Sequence, residues 1–257
     1  MTARTGESPR GRRLLLLLAT LVLSLALAAT VTLRGPRRAA LAARERAAEL
    51  FRQAMGESEG GDLRTAATTL EKAVSLLPGW PDARIQLGTV YYQLHEFALA
   101  RRELEQSAAL VPREPTVWWR LGRLYLATGE LGRALEALAR ATELDPTRPA
   151  YYTLLAEAHL RRGDPASLER GMAACERALA AEAGHAGALH RRGLIHQRRG
   201  RWDAAAADLT QAIRAAPLVA EPYYALSQVE RRRGNKAAAD RAAREFKRLD
   251  RLERSPQ

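Results

Sequence analysis

The chain is 257 residues long, carries a formal net charge of +12 and holds one cysteine, with 47% hydrophobic and 27% charged residues. That hydrophobic content supports a packed core and excludes a wholly disordered chain, and a lone cysteine excludes an intrachain disulfide framework. The charge is uneven: residues 1–46 hold nine arginines against two glutamates, residues 47–160 are net −3 and residues 161–257 net +8.

In chain order, residues 1–13 form a basic tail with Arg4, Arg10, Arg12 and Arg13. Leu14 to Leu33 follow as twenty residues without a charge, enough to cross a hydrocarbon core of about 30 Å as a helix. They are predicted to be a transmembrane anchor. The competing reading is a cleaved signal peptide: Ala26, Leu27 and Ala28 supply a small-x-small site, but residues 29–33 stay apolar beyond it. No cysteine follows the apolar run, which excludes a lipoprotein anchor. Residues 34–46 are a basic juxtamembrane arm suited to anionic headgroups. Arginines flank the apolar run on both sides, so their balance is nearly even. A short basic tail stays inside more readily than a long domain, and the remainder is expected on the extracytoplasmic, periplasmic side of the membrane.

From residue 47 the sequence repeats itself. Counting from Pro115, places seven, eight, eleven, fifteen, twenty, twenty-seven and thirty-two hold Leu121, Gly122, Tyr125, Gly129, Ala134, Ala141 and Pro146. Thirty-four residues earlier the same places hold Leu87, Gly88, Tyr91, His95, Ala100, Ser107 and Pro112, and further on they hold Arg192, Gly193, His196, Gly200, Ala205, Ala212 and Pro217. Six units result, 47–80, 81–114, 115–148, 149–185, 186–219 and 220–253, leaving a tail at 254–257; the fourth carries three extra residues near Asp164 to Leu168. Each unit has two amphipathic stretches separated by a glycine-containing turn and ended by proline, the pattern of a helical hairpin. Small residues at places eight, twenty and twenty-seven permit close helix packing. Gly129, Gly163, Gly200 and Gly234 fall where a helix end favours a left-handed residue. One hairpin leaves its apolar face wet, so the units must stack.

These residues resemble the tetratricopeptide repeat family, and the unit from Pro115 matches its pattern at nearly every informative place. The resemblance implies an all-α fold, a right-handed superhelical solenoid of about six stacked helix-turn-helix units, here preceded by one N-terminal transmembrane helix. It also implies a concave groove lined by places two, five, nine, twelve and thirteen of each first helix. Candidate protein-binding residues are therefore Phe51, Tyr92, Trp119, Arg123, Arg161, His190, Arg198, Tyr224, Arg231 and Arg232, aromatic toward one end and arginine-rich toward the other. Co-chaperone members of the family clamp an acidic tail with Lys and Asn at places five and nine. Here those places hold Phe51 and Met55, Ile85 and Thr89, Trp119 and Arg123, so that clamp is absent.

No catalytic, cofactor-binding or metal constellation is predicted, and the chain is read as a non-enzyme. Cys175 lies in an Ala- and Leu-rich stretch and reads as a small buried hydrophobe. His159 and His196 hold the place of Tyr91 and Tyr125, which marks them as packing residues. His185, His190 and His196 lack the four-residue spacing of a helical metal pair. The expected partners are protein segments, extended or helical and including acidic ones, together with the membrane through the N-terminal helix. The function this suggests is a membrane-anchored scaffold or assembly factor for bacterial envelope complexes, an analogy at the level of the fold. An alternative is nucleic-acid binding by the arginine-rich C-terminal half, against which stands the lack of a continuous basic, aromatic-lined track. A third reading is a cytoplasmic-side regulatory domain docking a membrane enzyme.

Overall fold

The computed structural model describes residues 38–254, and all secondary structure among them is helical. The predicted tail at 1–13, the apolar run at 14–33, the first residues of the basic arm and residues 255–257 lie outside the described residues. Among the described helices none is long and apolar enough to cross a membrane. The chain divides into two compact units, with the boundary after Ala83.

The described part of the first unit holds helix α1, residues 38–59, and helix α2, Leu63–Leu76. Residues 38–46, expected as an arm, are the opening turns of α1. Gly61 reverses the chain at φ 84°. The Asp62 side chain then caps α2 by accepting from the Thr65 backbone N–H at 3.1 Å, satisfying one of the donors that a helix start leaves unpaired. Ala47, Leu50, Ala54, Ala66, Leu70 and Ala73 form the buried seam of the hairpin.

The second unit begins within helix α3, Pro81–Gln93, and continues as α4, Phe97–Leu110; α5, Pro115–Ala127; α6, Leu131–Leu144; α7, Pro149–Arg162; α8, Pro165–Ala181; α9, Ala186–Arg198; α10, Trp202–Ala215; α11, Glu221–Arg232; and α12, Lys236–Arg254. From α4 to α12 each helix packs on the next, and α5, α7, α9 and α11 also touch one another in succession. First helices therefore line one side of the stack.

The turns follow one mechanism. Within hairpins the backbone N–H at place sixteen donates to the carbonyl at place eleven, as Glu130 does to Tyr125 at 2.8 Å and Arg201 to His196 at 2.9 Å. This six-to-one bond needs a left-handed residue between, supplied by Gly129 at φ 78° and Gly200 at φ 70°. In the hairpin of α3 and α4 that residue is His95, which adopts φ 61° without being glycine. The fourth unit turns differently: Gly163 donates to His159 at 3.0 Å, and Asp164 caps α8 through Ser167 at 2.9 Å. The three extra residues become one more helical turn, since α8 has 17 residues where α4, α6 and α10 have 14.

Hairpins close by fitting leucine onto glycine. A Cβ placed on Gly88 would lie 2.7 Å from Leu104, and one on Gly193 would lie 2.9 Å from Leu209, well inside the roughly 3.5–4.0 Å carbon contact distance. In the fourth unit the same two places hold Ala156 and Cys175, both fully buried in one apolar cluster. The larger residue on one side is matched by the smaller on the other.

Candidate functional site

The lining of first helices carries one concentrated feature. On α5, the Arg123 guanidinium sits over the Tyr92 ring of α3 at 4.3 Å and lies 5.8 Å from the Trp119 ring. Trp119 in turn meets Tyr151 of α7 at 6.0 Å between ring centres, and Arg120 approaches the Trp119 ring at 5.8 Å. Tyr92, Arg123, Trp119 and Tyr151 thus form a ladder across three hairpins, built from cation–π and aromatic contacts. Helical spacing is the local cause, because places five, six and nine of α5 share a face while place three of α7 reaches back to it.

Arg120 is held below this ladder. Its Nη1 donates to the Thr89 hydroxyl at 2.7 Å, and that hydroxyl donates to the Ile85 carbonyl at 2.7 Å. The Arg120 Nε and the Trp119 Nε1 are buried without a hydrogen-bond partner. Burial first, and then the neighbouring charge of Arg123, lowers the Arg120 pKa. Among the described residues no carboxylate pairs with Arg120 or Arg123.

The next hairpins supply a carboxylate of their own. Glu157 of α7 accepts from Arg161 Nε at 2.7 Å and pairs with Arg191 of α9. Burial works to raise the Glu157 pKa, but Arg191 and Arg161 overcome it and the net shift is downward. Arg161 Nη1 also donates to the Leu126 carbonyl at 2.9 Å, closing the end of α5. His190 is only 7% exposed and accepts from Arg191 through Nδ1 at 2.7 Å. Burial, aided by the Arg191 charge, pushes its pKa down to about 4, so it is neutral at pH 7.

Of the residues singled out from sequence, Tyr92, Trp119 and Arg123 come together in the ladder. Arg161 and His190 belong to the Glu157 network, and His190 is a buried packing residue with little surface to offer. Phe51 lies in the first compact unit, stacked on Trp80 at 4.9 Å. Tyr224 is 53% exposed and rests on Phe246 at 5.2 Å. Arg198, Arg231 and Arg232 are exposed and make no ion pair among the described residues. Sequence reading passed over Arg120, at place six, and Tyr151, at place three. The signal for Arg120 lies between units: place six of one hairpin reaches place nine of the preceding one, as Arg120 reaches Thr89 and Arg191 reaches Glu157.

The candidate reactive groups are structurally occupied. Cys175 is fully buried, and burial pushes its thiol up to about 12, far from a reactive thiolate. His159 is buried, and His196 stands 3.7 Å from Asp208, which Arg192 grips with two bonds at 2.8 and 2.7 Å.

Stacked hairpins whose first helices present a continuous lining define a helical repeat protein. The chain belongs to the tetratricopeptide repeat family: residues 91–219, half its length, match the model for the cytochrome c-type biogenesis protein H TPR domain, and residues 190–251 match a second tetratricopeptide repeat model. No curated protein matches the chain. Among solved structures it is similar to PilF of Pseudomonas aeruginosa, at 17% identity over 81% of this chain and 93% of that one, with a TM-score of 0.68. It is similar also to TTC0263, a thermophilic TPR protein of Thermus thermophilus, at 24% identity over 69% of this chain and 93% of that one, with a TM-score of 0.59. YrrB, described as a TPR protein with an unusual peptide-binding site, aligns at 20% identity over 65% of this chain and 85% of that one, with a TM-score of 0.54. At these identities the likeness is one of fold.

Proposed function

We propose that the chain is a non-enzymatic scaffold that holds a peptide segment of a protein partner along its first helices, and that it serves the assembly of c-type cytochromes. The observation that carries the binding reading is the Tyr92–Arg123–Trp119–Tyr151 ladder, where aromatic and arginine side chains stand together on one face. Such side chains are the ones that dominate binding energies at interfaces, and an extended or helical segment fits a groove of this kind. The cytochrome reading rests on the likeness of residues 91–219 to the biogenesis family model. YrrB supports peptide capture by the same fold. The charge-free run from Leu14 to Leu33 supports anchoring in a membrane, with the repeats on its extracytoplasmic face.

Crosslinking in native membranes, followed by mass spectrometry of co-purified proteins, tests the reading. It expects cytochrome biogenesis components crosslinked through α5. Trp119→Ala should weaken the captured partner by about 2 kcal/mol or more, with little dependence on salt. An unchanged affinity, or submicromolar nucleic-acid binding with a steep salt slope, would refute it.

A further inference from the structure

We propose that Arg120 and Arg123 of α5, beside Thr89 of α3, form a receptor site for one acidic side chain, an Asp or Glu within a partner segment that runs through the groove. The inference rests on the peptide-binding reading and specifies its ligand.

The chain contains its own control for this site. Place six of a first helix reaches place nine of the preceding unit twice: Arg191 meets Glu157, and Arg120 meets Thr89. In the first case a carboxylate of the chain neutralises the arginine, and Arg161 shares it at 2.7 Å. In the second the carboxylate is replaced by a hydroxyl that already donates to the Ile85 carbonyl. The hydroxyl can accept one Arg120 bond and can offset no charge. Arg123 adds a second cation with no carboxylate beside it, held over Tyr92. Two adjacent partly buried guanidinium groups repel one another and lose hydration, and the burial-lowered pKa of Arg120 reflects that. A carboxylate entering there would complete the arrangement that Glu157 completes one step along the stack, with charge-assisted bonds to both arginines.

The recess lined by Gly88, Thr89, Tyr92, Leu104, Arg120 and Arg123 is shallow, with about 10 Å³ of free space, roughly what one water needs, so an incoming carboxylate meets the two guanidinium groups at its mouth. The lining continues past it toward α7, where Trp119 meets Tyr151. A segment that contacts those rings runs on beyond the recess, and its acidic residue is then an internal one.

The test is selection of random twelve-residue segments, displayed within a loop of a carrier so that neither end is free, on the full chain in detergent micelles. A parallel library has free C-termini. The native chain should enrich Asp or Glu at one fixed position next to aromatic or aliphatic residues. Thr89→Glu, which supplies the missing carboxylate internally, should remove that preference and weaken the selected segments at least about tenfold. Arg123→Gln should do the same, and Arg113→Gln, an exposed arginine outside the recess, should change nothing. Circular dichroism melts verify that each variant is folded, and the Thr89→Glu and Arg123→Gln variants can each carry the test alone. An acidic preference that survives in both variants, or selection that appears only with free C-termini, would overturn the site while leaving peptide capture standing. Failure to select any segment from either library would overturn peptide capture itself, and the site with it.

Discussion

Enlarging Cys175 tests how the hairpins are closed. Three units of the chain place glycine opposite leucine, at Gly88 and Leu104, Gly122 and Leu138, Gly193 and Leu209. The fourth places Ala156 opposite Cys175, both at 0% exposure. In Cys175→Leu the new branch would meet the Ala156 Cβ at the separation that a Cβ on Gly88 or Gly193 would have from its leucine, 2.7–2.9 Å. Overpacking of this kind costs about 1–3 kcal/mol. Ala156→Gly alone should cost about 1 kcal/mol, from backbone entropy in the helix and a small void. The double variant restores the pairing of the other hairpins, so its destabilisation should fall short of the sum of the two by about 1–2 kcal/mol. Urea denaturation followed by circular dichroism and tryptophan emission measures all four proteins. Agreement of the two probes is needed before free energies are compared, because repeat arrays do not always unfold in one step. Additivity within about 0.5 kcal/mol would show that the two side chains do not share space and would refute the complementary packing.

His95→Gly should raise stability by about 1 kcal/mol in the same urea titration, because the backbone there sits at φ 61°, where a Cβ is crowded; a loss would mean that the imidazole contact with Phe97 outweighs the strain. His190 supplies a pH dependence. Its folded pKa of about 4 lies below the ordinary histidine value near 6.5, so the unfolded chain takes up the proton first, and stability should fall as pH drops from about 6.5 toward 4. His190→Gln should flatten that part of the profile, and the native imidazole should stay neutral at about pH 5.5 by NMR.

Much of the site was legible in the register of the repeats. The thirty-four-residue spacing assigns Tyr92, Trp119 and Arg123 to first-helix faces, and the structure brings those three together. His190 has the same kind of place in the repeat and ends buried, because Arg191 and Glu157 beside it draw it into an internal network. Periodicity along one helix cannot distinguish the two cases, since the difference lies in which side chain stands at place nine of the neighbouring hairpin. Arg120 was passed over for the same reason: place six looks inert until Thr89 is seen across from it.

Sequence alone determined the hairpins, their turns and the small residues at their contacts. These follow from local backbone preferences and from apolar spacing, which act within one unit and repeat with it. It also anticipated that three extra residues enter the fourth unit, though not that they would lengthen α8 by a turn. Only the tertiary structure decided the charge state of the groove. Whether an arginine is paired depends on a residue about thirty positions away on the preceding first helix, brought near by stacking: Glu157 neutralises Arg191, and Thr89 leaves Arg120 a bare cation.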